Sequence, residues 1–262
     1  MNCGVAAARG DIVAFLDDDA VAEPDWLEHL IRPYADSAVL GVGGMIRPLW
    51  STAQPRWFPD EFLWVVGSVH RGIRQDAGPV RNLIGANMSF RREVLLRSGG
   101  FRDEVGSYGG NLLRCEDTEF SIRVQQRFPG GRLVFAPAAT VWHRVPPLRA
   151  RWRYFRPRCF AEGQSKAMVA RLVGTADGLS SERAYIRRAL PRGLVRGLGD
   201  AVFRRDPAGL ARSGAIVAGL AFTAAGYVAG RVASRPAKNA DACSDRWDDS
   251  TQKPLDVMAA GD

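Results

Sequence analysis

Cysteine is scarce in this chain, and the little there is lies scattered. Cys3, Cys115, Cys159 and Cys243 are the only four in 262 residues, and no two stand at the close spacing of a zinc site or a redox motif. That argues against a disulfide framework and fits reduced thiols in a cytoplasmic protein. The three histidines add no second cluster of ligands to them. At the amino terminus no basic flank leads into an apolar core, so no signal peptide is expected. Long apolar runs are missing too, apart from one uncharged stretch of 18 residues from Ser213 to Gly230.

What is present is an ordinary globular balance, 46% apolar and 24% charged. It excludes disorder over most of the length and allows one large domain, or one domain with appendages. The net charge of +8 is unevenly spread. Residues 1–143 hold 15 Lys and Arg against 17 Asp and Glu, and residues 213–262 hold 5 against 6, whereas residues 144–212 hold 16 against 5, net +11. A segment so rich in arginine attracts phosphate-rich partners: an anionic membrane surface, a phosphorylated substrate or nucleic acid.

Against that background one stretch organises the rest. Ile12 to Leu16 has the composition of a buried strand, and it ends in three consecutive carboxylates, Asp17, Asp18 and Asp19. Ligands of open α/β sheets bind outside such strand ends, and clustered oxygen ligands there suit a hard divalent cation carrying phosphates. The alternative is a solvated acidic loop. Before it, Asn2 to Arg9 reads as the end of a helix closed by Gly10. After it, Pro24 sits where a helix can start, with helical spacing up to Pro33.

Val39 to Ile46 is the next strand candidate, and residues 47–82, without clear periodicity, read as an excursion over the site. Leu83 to Phe90 reads as a strand followed by a helix from Arg91 to Ser98, with Gly85 and Ala86 small enough for a ligand, or for tight packing under a helix. Gly106 to Gly110 reads as a flexible loop leading to a helix from Glu116 to Phe128. Leu133 to Ala136 and Thr140 to His143 read as two short strands. The Ser213 to Gly230 run reaches about 27 Å as a helix against a hydrocarbon core of about 30 Å. It either enters or rests on a membrane or packs as a helical hairpin, and Gly226 and Gly230 have the spacing of close helix packing. From Val232 the tail is polar and expected to be disordered.

The acids of the second cluster, Glu116, Asp117 and Glu119, fall in the first turn of a helix, where carboxylates ordinarily complement the dipole. Near an acceptor hydroxyl, one of them has the chemistry of a general base. His143 at a strand end close to acids has the chemistry of a metal ligand, or it is structural.

Taken in order, strand-Asp-x-Asp, Pro24-Asp-Trp-Leu, Gly85-Ala-Asn-Met-Ser-Phe-Arg-Arg with Gly99-Gly-Phe, Glu116-Asp-Thr-Glu and Trp142-His resemble glycosyltransferase family 2 over residues 2–143. The resemblance implies an α/β fold, a GT-A-like (Rossmann-like) mixed sheet flanked by helices. It implies a partial domain over 1–146; beyond it the residues themselves read as a basic helical extension over 147–231 with an apolar helix at 213–230, and a tail over 232–262. Members normally begin with a βαβ unit that completes the nucleotide pocket. The chain starts after it, so an N-terminally truncated domain with weak nucleotide binding is expected.

The implied roles are assigned position by position. Asp19 and Asp17, with His143, would hold Mg or Mn against the donor diphosphate, and Asp18 would lie nearer the ribose. Asp117 would be the base, Glu116 its neighbouring alternative, and Gly85, Ala86 and Asn87 would border donor sugar and acceptor. The implied chemistry is metal-dependent, inverting transfer from a nucleotide-sugar to a saccharide, lipid-linked or small-molecule acceptor. The residues themselves read as a cytoplasmic protein, with the anionic inner face of the plasma membrane as a candidate partner of the basic segment. The alternative is a non-catalytic remnant that binds membrane or a partner through its basic helices; nucleic acid is the least favoured partner.

Overall fold

A computed structural model of the protein describes residues 1–72, 76–102 and 115–233. The expected loop at Gly106 to Gly110 lies outside the described residues, as does nearly all of the expected tail. Helix α1 (Asn2–Ala7) buries Val5 and leads into β1 (Ile12–Leu16). The composition of β1 predicts a fully buried strand, but only Val13 is buried. β1 pairs with a single neighbour among the described residues, so it stands at the edge of the sheet and leaves Ala14 and Leu16 in solvent.

A three-residue strand that sequence periodicity does not reveal, β2 (Ala20–Ala22), follows the acids at once. Helix α2 (Trp26–Ile31) starts two residues beyond Pro24 and buries Leu30 against the sheet. The central strand β3 (Val39–Trp50) is longer than its apolar stretch, since parallel pairing with β6 continues to Trp50. The excursion contains a 3-10 segment (Asp60–Val66) and a short strand, β4 (Gly78–Val80).

β5 runs Asn87–Arg91, and the strand expected from Leu83 begins only there. The reason lies in where the backbone donors go. Leu83 N donates to Ser121 Oγ at 3.1 Å and Gly85 N to Asp117 Oδ2 at 2.9 Å, so residues 83–86 bond to a helix instead of a strand. Helices α3 (Arg92–Arg97) and α4 (Glu116–Arg127) follow, then β6 (Arg132–Val145). β6 replaces the two short strands expected there. Its register against β3 passes from Ala136 to Thr140 between Gly44 and Met45, so residues 137–139 bulge out of one continuous strand. The mixed sheet has the order β1-β5-β3-β6-β2, with β4 also on β6, and only β3 and β6 are parallel.

Beyond Pro147 the chain is helical: α5 (Trp152–Val173), α6 (Thr175–Gly178), α7 (Ser180–Ala184), a π segment (Tyr185–Ala189), α8 (Leu190–Phe203) and α9 (Ala208–Val232). The aromatics of α5 do not form a free face. Phe155 packs with Phe58, Phe62, Val66, Leu190 and Ile216 in one apolar cluster, which joins the excursion to α5, α8 and α9. A second cluster, around Val13, Met88, Phe90, Leu95, Phe120 and Leu133, fills the space under α3 and α4.

Helices α5 and α9 approach backbone to backbone. A Cβ on Gly226 would collide with the Phe160 carbonyl, and one on Gly163 with that of Thr223, which explains the small residues at these positions. The surplus arginine of this segment is partly structural. Arg171 caps the carbonyls ending α9, Arg196 pairs with Glu61, and Arg212 with Asp200 and Asp206.

Candidate active site

The acids after β1 and the histidine near the end of β6 come together through β2. Ala20 pairs directly with His143, and Arg144 N donates to Asp19 O at 2.9 Å, so the turn at 17–19 folds back over the strand. Asp17, Asp19 and His143 each offer one ligand atom, and these atoms lie within 4.8 Å of one another. His143 Nε2 is 3.0 Å from Asp19 Oδ1 and 3.9 Å from Asp17 Oδ2. Nε2 is the ring nitrogen that faces the carboxylates, while Nδ1 is buried on the other side. Two carboxylate oxygens and one imidazole nitrogen form a donor set that fits a divalent cation such as Mn or Mg.

The imidazole is held from behind. Gly67 turns with φ +77°, and a Cβ there would come within 2.9 Å of the ring. A glycine is therefore required both by the backbone and by the packing. Asp18 points into solvent between the two ligands.

Asp117 lies in the first turn of α4. It accepts hydrogen bonds from Gly85 N at 2.9 Å and Thr118 N at 2.6 Å. Burial pushes its carboxyl pKa up, and the two N–H groups and the charge of Lys166 partly offset that. Glu116 is half-buried beside it.

Gly85 thus touches the candidate base through its backbone, and Ala86 is buried in the core behind it. Asn87 faces inward and is fully buried. It accepts from Trp26 Nε1 and donates to the carbonyls of Met45 and Ala139, so its amide braces α2, β3 and β6 instead of facing a ligand. Because Asn87 pairs with Leu16, that brace also places the turn of residues 83–86 next to the acidic one.

A family model described as glycosyl transferase family 2 matches residues 1–98. The glucosyl-dolichyl phosphate glucuronosyltransferase of Haloferax volcanii is 34% identical over 231 residues, covering 87% of this chain and 72% of that protein. The chain belongs to glycosyltransferase family 2. The succinoglycan biosynthesis protein ExoM of Rhizobium meliloti is 31% identical over 68% of this chain, which spans 53% of that relative. A solved structure of GalNAc-T7 with UDP, GalNAc and Mn2+ overlaps 55% of this chain and 29% of its own at a TM-score of 0.40 and 18% identity, a partial likeness only.

Membership in family 2 accords with the mixed sheet and flanking helices. Three site features have no signature in sequence. Arg149 brings its guanidinium to 3.7 Å from Asp19, Gly67 supports the imidazole, and Arg81 starts the turn that meets Asp117.

Proposed function

We propose that the protein transfers a sugar from a nucleotide-sugar donor to a hydroxyl of a lipid-linked saccharide, by metal-dependent single displacement with inversion. The observation that carries this reading is the convergence of Asp17, Asp19 and His143 at the ends of β1 and β6. These side chains would hold the cation, which when bound neutralises charge on the departing nucleoside diphosphate. Arg149 adds a positive group on the same side, and Asp18 stands free to meet the ribose.

Asp117 takes the proton of the acceptor hydroxyl as its oxygen bonds to the anomeric carbon and the bond to the diphosphate breaks. Its raised affinity for a proton makes it the better base, and the Gly85 and Thr118 N–H groups fix its orientation. Glu116 is the neighbouring alternative, and Gly85 and Ala86 border the space where sugar and acceptor meet.

The test is calorimetric titration of a panel of nucleoside diphosphate sugars with and without Mn. One donor is expected to bind only with the metal, to lose binding in Asp19→Ala, and to bind Asp117→Asn without turnover. If no donor binds in a metal-dependent way, the reading fails.

The lipid-linked acceptor is supported by the name of the Haloferax relative and by the surface of the helical extension. α9 is the helix, among the described residues, long and apolar enough to cross a membrane. Its glycine face is packed on α5, which favours lying in the interface over spanning. Leu210, Val217, Val228 and Val232 line the opposite face and are more than half exposed. Arg151, Arg153, Arg156, Arg187, Arg188 and Arg192 are exposed on α5, α8 and the segments before them, and suit anionic headgroups. These features support a reading in which the protein rests on the inner face of the plasma membrane. Flotation with anionic vesicles, weakened by Val217→Ser with Val228→Ser, is the expected result; no flotation with anionic or neutral vesicles would remove the membrane from the proposal.

A further inference from the structure

Five charged side chains form a continuous ladder between the helical extension and the turn that meets Asp117. Arg158 pairs with Glu162 at 3.0 Å, Lys166 with Glu162 at 3.3 Å and with Glu182 at 2.8 Å. Arg81 grips Glu182 with both terminal nitrogens, at 2.7 and 2.9 Å, and also donates to Gly178 O at 3.1 Å. None of the five side chains is more than 20% exposed. Taking so many charges out of water is costly, and such a ladder is poor evidence for stability by itself. Its use is better sought in what it positions.

The last rung answers that. Arg81 opens the turn 81–86, whose backbone is stitched to α4 at three points. The Arg81 carbonyl accepts from Gln125, Leu83 N donates to Ser121, and Gly85 N donates to Asp117. α5 also packs on α4 directly, through Val169 and Val173 against Cys115 and Ile122. Asp117 therefore sits between a turn clamped by α6 and α7 and a helix backed by α5.

We propose that the ladder Arg158, Glu162, Lys166, Glu182 and Arg81 is a positioning device for Asp117, so that α5 to α7 are a working part of the transfer site. The proposal rests on Asp117 as the base. The groups acting on Asp117 are Lys166 and Glu162 from α5, the Gly85 N–H from the turn and the Thr118 N–H on its own helix, with the Cys115 thiol close enough to feel its charge. Glu182 and Arg81 act on it through Lys166 and the turn. Lys166 lowers the proton affinity of Asp117 and Glu162 raises it, so loss of the lysine charge pushes the carboxyl further up.

The decisive measurement is hydrogen exchange by mass spectrometry on the full chain, wild type beside Glu182→Gln and Arg81→Lys, with thermal melts to confirm folding. Amides of residues 83–87 are expected to exchange about tenfold faster in both variants while those of β3 stay unchanged. Unchanged exchange at 83–87, or equal acceleration in β3, overturns the proposal, because the ladder would then be idle or merely structural. This readout needs no substrate, so it stands apart from the assignment of the reaction. With the donor found by titration, Lys166→Met should shift the acidic limb of the kcat profile to higher pH and leave donor KM within about twofold, with Lys166→Arg restoring the wild-type limb. An unmoved limb would also overturn it.

Discussion

The two ends of the site are built by different means. At the cation end, Asp17 and Asp19 follow a strand directly and His143 belongs to another, and one register, Ala20 on His143, brings them together. Asp17 is half exposed and Asp19 about a third. At the proposed base end a carboxylate is half-buried and held by two backbone N–H groups, and its surroundings come from residues 81–85, 118 and 162–182, far apart in the chain. A cation and a diphosphate bring their own charge and tolerate water. A base must hold a raised proton affinity and a fixed direction, which only a closed environment supplies.

The largest test of that contrast is Asp117→Asn. Turnover is expected to fall by about a thousandfold or more, with metal-dependent donor binding unchanged. The stability consequence has two parts of opposite sign. Burial raises the folded pKa of Asp117 above its unfolded value, so the ionised carboxylate costs stability above the unfolded pKa, and that cost fades as pH falls through the folded pKa. At neutral pH the amide removes that cost, but Gly85 N and Thr118 N donate to different carboxylate oxygens, and the single amide oxygen can accept from only one of them, leaving NH2 against the other donor. A fall in Tm of about 2–4 °C follows, what a net ~1 kcal/mol gives a chain of this size. An unmoved melt would show that the two N–H groups do not depend on the carboxylate.

The matching substitution at the other end, Asp19→Ala, is expected to weaken metal-dependent donor binding by about tenfold or more and to leave Tm nearly unmoved, because the side chain is a third exposed. If both ends changed Tm alike, the distinction between an open and a closed half would be lost. His143→Gln should lower binding and Tm together, since this ring is 4% exposed and packed by Gly67.

What sequence could reveal follows the same division. Strands β1 and β3 and helix α4 carry their own periodicity, so Asp17, Asp19 and Asp117 are legible where they stand, and His143 is legible as the end of a strand. β2 is three residues long and is a strand only because β6 pairs with it. Leu83 to Ala86 has strand composition and becomes a turn because its donors are taken by Ser121 and Asp117. Asn87 looks like a residue beside a ligand, yet three long-range hydrogen bonds turn it into the fold. The ladder is out of reach of any local pattern, its last pair being separated by 101 residues. Composition reports only the sum of the basic segment, not which arginines are spent inside.

The smallest effect belongs to the ladder under acid. Glu182 is held down to about 2, from an ordinary 4.5, as Lys166 and Arg81 outweigh the opposing effect of burial. A depressed carboxyl contributes stability that is complete above its unfolded pKa and is lost as pH falls through the folded one. The window therefore runs from about pH 4.5 down to about 2. Across it the wild-type Tm should fall more steeply than that of Glu182→Gln, with the two curves closing by a few degrees between pH 5 and 3. Parallel curves would mean that the glutamate gains nothing from its partners. A ladder that loosens in acid would place the pH-sensitive rigidity of the protein on the side of the proposed base.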